Sequence, residues 1–159
     1  MLVKSLSNGT QILGVTLSSV DAFDVSVNAA TGGVNSACPS IVPGTFQSHS
    51  GGGTFGPNQL IITPDSTKAF VTSTARTGSL LAYDVGANAA AGTLSTITLA
   101  GMNASTTGTT TGGVTLDSKL LFVGATDKTV HFIDIATATD TGQTSDLGFT
   151  PELVAVRPH

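Results

Sequence analysis

Three aspartates in this chain occupy one local setting. They lie in Ala22-Phe23-Asp24-Val25, Ala82-Tyr83-Asp84-Val85 and Phe132-Ile133-Asp134-Ile135, at spacings of 60 and then 50 residues. Carboxylates do general acid–base chemistry when their surroundings push their pKa values apart. Repetition does the reverse and gives each carboxylate the same surroundings. The spacing therefore points to a structural task, that of accepting backbone N–H groups in the turn that follows each one. Asp65 and Asp117, in Pro64-Asp65-Ser66 and Asp117-Ser118, read as hairpin-turn residues on the same logic.

Two histidines remain as candidates for ligand binding. His131 breaks the repeat, since the other copies carry Asp21 and Leu81 at its place. His49 sits in Gln47-Ser48-His49-Ser50-Gly51. For each, a merely hydrogen-bonded side chain is the competing reading. Asp140 and Asp146 flank a Thr/Gly turn but lack the acidic ladder and central glycine of a calcium loop. Cys38 is alone, so it makes no disulfide within the chain and no ordinary zinc site. It reads as a small half-buried hydrophobe rather than a reactive thiol. There is no Gly-x-Ser-x-Gly elbow, no His-Glu-x-x-His and no phosphate loop with a lysine. No catalytic residue, metal or cofactor is assigned from the sequence. Asn8-Gly9-Thr10 and Asn103-Ala104-Ser105 are glycosylation sequons wherever the source glycosylates.

The elements that position these residues follow from composition and patterning. Only 10% of the 159 residues are charged, Gly numbers 19 and Trp is absent. Much Thr and Gly with little Glu or Lys implies short strands joined by turns. The net charge is −4, and the six basic residues form no stripe, which excludes nucleic acid as an expected partner. No apolar run approaches the roughly 20 residues of a membrane span. Low charge with abundant Ser and Thr suggests an extracellular or periplasmic protein; no signal peptide is visible in this chain.

Strands are expected at Leu2 to Leu6, Gln11 to Thr16 and Val20 to Val27, with Asn8-Gly9 as a hairpin turn. A fourth is expected near Thr45 to Ser48. The second unit reads Leu60 to Thr63, Lys68 to Ser73, Ser79 to Val85 and Leu94 to Leu99, and Gly86 to Gly92 is too short for a stable helix. The third reads Val114 to Leu116, Lys119 to Gly124, Thr129 to Ile135 and an outer strand near Thr144 to Phe149, after a loop from Ser105 to Gly113. Pro151 to Pro158 has the form of one more first strand, with His159 at the turn. Inner strands are apolar at consecutive positions, as in Leu60-Ile61-Ile62 and Leu120-Leu121-Phe122-Val123, which marks sheets covered on both faces. Four-stranded antiparallel meanders repeated in this way and covered by copies of themselves are propeller blades.

Pro64-Asp65-Ser66-Thr67-Lys68-Ala69-Phe70-Val71-Thr72 followed by Leu81-Ala82-Tyr83-Asp84-Val85 resembles the YVTN-type β-propeller repeat. Its pattern is Pro-Asp-Gly, two variable residues, an aromatic, Val-Thr, then an apolar-Asp-apolar triplet. Ser66 and Ser118 replace the turn glycine. The resemblance implies an all-β, incomplete propeller with blades at about 1–56, 57–108 and 109–150 and the first strand of a further blade at 151–159. Propellers close with typically 4–8 blades. If each end face bares on the order of 500 Å² of apolar surface, roughly 12 kcal/mol of burial per face is forgone at ~25 cal/mol/Å². The expected partners are thus the remaining blades of a larger propeller, or other chains that complete the ring. Loops Ser48 to Asn58, Thr74 to Gly78, Gly101 to Gly113 and Ala125 to Lys128 are expected to share one face, where recognition would sit. The reading is a non-catalytic binding or scaffold segment. A fragment of a lactonase-like propeller enzyme, with its site in the axial channel, and a structural subunit of a surface assembly stand as alternatives.

Overall fold

The computed structural model of the protein describes residues 1–27 and 41–157. Cys38, the Asn28 to Gly32 flank of the first repeat and His159 lie outside the described residues. Three four-stranded antiparallel sheets follow one another along the chain, each a meander in sequence order. The first comprises β1 (Leu2–Ser5), β2 (Gln11–Val15), β3 (Ser19–Val27) and β4 (Ile41–Ser50). The second comprises β5 (Pro57–Ile62), β6 (Lys68–Ser73), β7 (Ser79–Asp84) and β8 (Thr93–Thr98). The third comprises β9 (Thr109–Val114), β10 (Leu120–Ala125), β11 (Thr129–Asp134) and β12 (Thr139–Asp146). The alanine-rich run after β7 forms a single 3-10 turn, Ala89–Ala91, capped by the Asn88 side chain.

Two of these strands differ from the sequence expectation. β9 lies within the stretch read as a Thr/Gly loop, and the expected strand Val114 to Leu116 is its last residue and the turn beyond. The reason is close approach between sheets. A Cβ on Gly112 would stand 2.7 Å from Ile61 Cδ1 and 2.9 Å from the Phe122 carbonyl oxygen, so this strand requires glycine where composition suggests a loop. The buried hydroxyls of Thr109 and Thr111 are satisfied across the joint, on the Ser73 carbonyl and on Gln59 Oε1. β12 begins five residues earlier than expected, because its pairing with β11 is bulged between His131 and Ile133. Pro151–Arg157 forms no strand. It crosses the third sheet instead, with the Pro151 carbonyl accepting from Thr110 Oγ1 at 2.6 Å and the Val154 N–H donating to Thr111 Oγ1 at 3.2 Å.

Strand alternation gives each sheet a back face toward the preceding sheet and a front face toward the next. Leu13, Val15, Val20 and Ala22 on the front of the first sheet share a buried cluster with Leu60, Ala69, Val71, Leu81 and Tyr83 on the back of the second. Phe70, Leu80, Ala82 and Ile97 on the front of the second pack with Leu121, Val123, Ile133 and Ile135. Each fully buried large side chain contributes about 1.5–3 kcal/mol, so these two joints are the core.

The hairpin turns between first and second strands are linked across sheets. Asn8, Asp65 and Asp117 each fold back on a following residue; Asn8 Oδ1 accepts from the Thr10 N–H at 3.1 Å and Asp65 Oδ1 from the Thr67 N–H at 3.1 Å. The next position is left-handed in all three, at Gly9 (φ 71°), Ser66 (φ 60°) and Ser118 (φ 56°). Glycine is the ordinary choice there. Serine is present because its hydroxyl reaches the preceding unit: the Asn8 N–H donates to Ser66 Oγ at 3.3 Å and the Asp65 N–H to Ser118 Oγ at 3.2 Å.

Candidate binding surfaces

The three repeat aspartates serve three ends. Asp134 accepts from the Thr137 N–H at 2.8 Å and from its hydroxyl at 2.9 Å, in the turn that follows. These bonds hold its pKa below the ordinary 3.8. Asp84 instead pairs with Lys68 across β6 and β7. Asp24 reaches forward to the second sheet, where it accepts from the Ala89 N–H at 2.8 Å. The Asp65 carboxyl is pushed up by burial, yet bonds from Thr63, Thr67 and Ser118 outweigh this and leave it low. The Asp117 carboxyl is held low by the Thr115 hydroxyl and the Lys119 N–H.

Both candidate histidines stand in joints between sheets. His49 Nε2 donates to the Ala89 carbonyl at 2.9 Å, so the first sheet grips Ala89 by its N–H and its C=O. The His49 ring lies 5.1 Å from that of Tyr83. Burial, and then the Asp24 charge, pushes the Tyr83 hydroxyl above its usual pKa. His131 Nδ1 is 2.9 Å from Asp140 Oδ2, with the two side chains only 1% and 3% exposed. A carboxylate only accepts, so Nδ1 carries the proton. Asp140 also accepts from the Ala100 N–H at 2.8 Å and the Gly142 N–H at 2.9 Å. His131 Nε2 is buried without a hydrogen-bond partner. The pair therefore pins the third sheet to the end of β8 and is closed to solvent.

Asp146, the other residue of the weighed calcium turn, accepts from the Gly148 N–H at the far end of β12. Among the described residues no group of three or more His, Cys, Asp or Glu gathers to hold a metal ion.

The loops after β4, β6, β8 and β10 meet on one face. The Gly78 N–H donates to the Thr107 carbonyl at 2.7 Å, and the Thr126 N–H donates to the Gly108 carbonyl at 3.0 Å. Arg76 lies over the Phe55 ring at 5.4 Å and donates to the Gly52 carbonyl at 2.8 Å. Nothing in the sequence marks Arg76 for this role, because its partners are backbone and a ring from another unit. The result is a rigid surface with Thr54, Thr74, Asn103, Ser105 and Thr106 outward.

The two end faces are apolar, the first sheet's exposed and the third sheet's partly covered by Pro151–Arg157. On the back of the first sheet, Phe23 is 43% exposed and tilts against Phe46, itself 53% exposed, at 4.7 Å between centroids. Met1, Val3, Ile12 and Val25 line the hollow beside them, about 370 Å³. On the front of the third sheet, Phe122 and Phe132 meet edge-on at 5.2 Å. A groove of about 500 Å³ runs between Phe122, Val130 and the Val154–Val156 segment. Phe132 stands at the place of the buried Ala22 and Ala82, and Phe23 at that of the buried Tyr83 and Ile133.

This arrangement of sheets is found in a solved propeller domain. The β-propeller domain of Cps50 (Swd1) from Myceliophteria thermophila is similar at a TM-score of 0.66 and 11% identity, over 99% of this chain and 46% of that one. Hydrazine synthase from Kuenenia stuttgartiensis is similar at a TM-score of 0.51 and 20% identity, over 65% of this chain and 27% of that one. At such identities the likeness is one of fold. The chain is an all-β, incomplete propeller of three blades. It spans less than half the length of these two neighbours. No family model and no curated protein matches it in sequence. No helix among the described residues is long and apolar enough to cross a membrane.

Proposed function

We propose that this chain is a non-catalytic binding or scaffold segment of an exported β-propeller of the YVTN type, completed on both sides by further blades or by partner chains. One observation carries the reading. The position buried as Tyr83 and Ile133 in the later sheets is the exposed Phe23 in the first, and the position buried as Ala22 and Ala82 carries the half-buried Phe132 in the third. A sheet built to be covered on both faces has its apolar area in water on one of them, and an area of this kind marks a place of assembly. The loop face supports the binding role, since backbone bonds tie the loops after β6, β8 and β10, Arg76 ties in the loop after β4, and together they present hydroxyls and amides from a fixed frame. The Pro-Asp-Ser turn and the Tyr83-Asp84-Val85 triplet support the repeat type, and low charge supports export.

The test is an environment-sensitive hydrophobic dye added to the folded chain, with mass measured in parallel. Strong dye fluorescence, reduced when Phe23 and Phe122 are each replaced by serine, is expected. A folded, monodisperse monomer that ignores the dye at high dilution refutes the reading.

A further inference from the structure

We infer that Pro151–Arg157 holds the place of the first strand of a fourth sheet, and that the groove beside it receives one antiparallel strand of another polypeptide, apolar at alternate positions. The inference rests on the propeller reading above and names where and how the sheet after the third is completed.

Hydrogen bonds fix the register of the seat. At the joint between the second and third sheets, Asn58 Nδ2 donates to the Thr109 carbonyl at 3.3 Å, and Gln59 Oε1 accepts from the Gly112 N–H at 2.8 Å. Asn58 and Gln59 stand seven and six positions before Asp65, and Thr110 and Thr111 stand at the same distances before Asp117. Thr110 Oγ1 donates to the Pro151 carbonyl at 2.6 Å, and Thr111 Oγ1 accepts from the Val154 N–H at 3.2 Å. Pro151 and Val154 are three residues apart, as are Thr109 and Gly112. Both bonds of the earlier joint thus recur one sheet later, from the same positions. Packing repeats as well: Gly112 meets Ile61 of the preceding sheet, and Gly113 meets Val154 and Val156 on the other side of β9. The segment lies on the third sheet as β9 lies on the second.

What the seat lacks is a neighbour in its own plane. The Thr115 N–H donates to the Leu120 carbonyl in the hairpin to β10, so by alternation Gly113 and Thr111 turn toward β10 while Gly112 turns to Gln59. Val154 holds the place of Gly112. Leu153, Ala155 and Arg157 therefore present their backbone groups on the opposite side, where none has a backbone partner among the described residues. An unpaired edge of this kind is a template for a strand. The apolar groove of about 500 Å³ beside Phe122 and Val130 gives it room. β6 and β10 fill the corresponding place in their own sheets. Each sends two apolar residues at alternate positions, Ala69 and Val71 or Leu121 and Val123, into the cluster shared with the preceding sheet. Every described strand already pairs within its own sheet, so none is left over to fill the groove.

A labelled peptide with the sequence of Lys68–Ser73 tests this by fluorescence anisotropy on the natural chain, with hydrogen exchange read at single amides and the dye assay alongside. Saturable binding is expected, with exchange at Ala155 and Arg157 slowed roughly tenfold or more. Phe70 pairs with Ile61 in the second sheet, and Ala155 holds the place of Ile61. The peptide N-methylated at Phe70 loses that bond and should bind roughly tenfold more weakly. Ala155→Pro removes the facing N–H at an exposed site and should weaken the unmodified peptide as much. Equal binding of the two peptides, or no slowing at those amides, overturns the inference. So does a natural chain that forms a two-copy particle with these amides protected before peptide is added, since a second copy then fills the groove. If no peptide binds while the natural chain still binds dye, only the strand rule fails. A folded natural chain that binds no dye fails the propeller reading, and the rule with it.

Discussion

Replacing His131 by leucine copies the second blade into the third, since Leu81 occupies the same register in β7 as His131 in β11. The change nonetheless strands Asp140, whose carboxylate is 3% exposed and loses its only side-chain partner. Breaking a buried pair from one side costs about 3–5 kcal/mol. For a domain whose total stability is of the order of 5–15 kcal/mol, that is a large fraction. Asp140→Leu should cost about as much, because it leaves the buried imidazole with both nitrogens unpaired. The double change sets leucine at both positions, as the second blade already does with Leu81 and Leu94. The Ala100 N–H that loses its acceptor belongs to an exposed residue and can turn to water. The double variant should therefore lie within about 1–2 kcal/mol of the natural protein, giving a coupling of roughly 3 kcal/mol or more. Urea unfolding at neutral pH, followed by far-ultraviolet circular dichroism, reads these values. With a slope of about 1–3 kcal/mol per molar, each single variant shifts its midpoint by one molar or more. Single effects below 1 kcal/mol, or a double variant at the sum of the singles, refute the claim that the pair is a buried, mutually dependent pin.

Further expectations rest on separate features. Ser66→Ala keeps the left-handed backbone and loses the bond from Asn8, so it should cost about 1–2 kcal/mol, whereas Ser66→Gly should cost about 1 kcal/mol less; equilibrium unfolding compares them. Gly112→Ala drives a methyl into Ile61 and the Phe122 carbonyl, and a loss of about 2–3 kcal/mol is expected in the same assay. Lys68→Met removes an ion pair whose carboxylate is 47% exposed, and should change stability by less than about 1 kcal/mol, with little dependence on salt. Asp65, Asp117 and Asp134 titrate below 3.8 in the folded chain, so the unfolded chain binds more protons near that value. Their contribution is complete above 3.8 and drains away as the pH falls through the folded values. Thermal midpoints measured from pH 6 downward should fall in that window, and less so in Asp134→Asn.

Residues that act within one unit were legible from the sequence. Leu60-Ile61-Ile62 and Lys68 to Thr72 read as inner strands because their own apolar runs specify them, and Asp65 and Asn8 form their turns with residues two positions away. Residues whose task lies in another unit were not. β9 hid behind a loop-like composition because its glycines answer to Ile61 and to Val154. Asp24 was expected to cap its own turn and holds Ala89 of the next blade. His131 was marked as odd, but its partner Asp140 could not be found without the bulge that brings β12 alongside. Ser66 and Ser118 stood out as departures from the repeat pattern; their role as acceptors becomes visible only when two turns are set side by side.

The linked turns give the rim a direction. Each turn hands its N–H forward and receives with its serine hydroxyl, as beads on a string that are threaded one way only. Gly9 has no hydroxyl, so the first turn gives without receiving, while Asp117 stands ready to give to whatever follows. A sheet set after the third could continue that thread through the Asp117 N–H, whereas one set ahead of the first would find no hydroxyl at Gly9 to receive it.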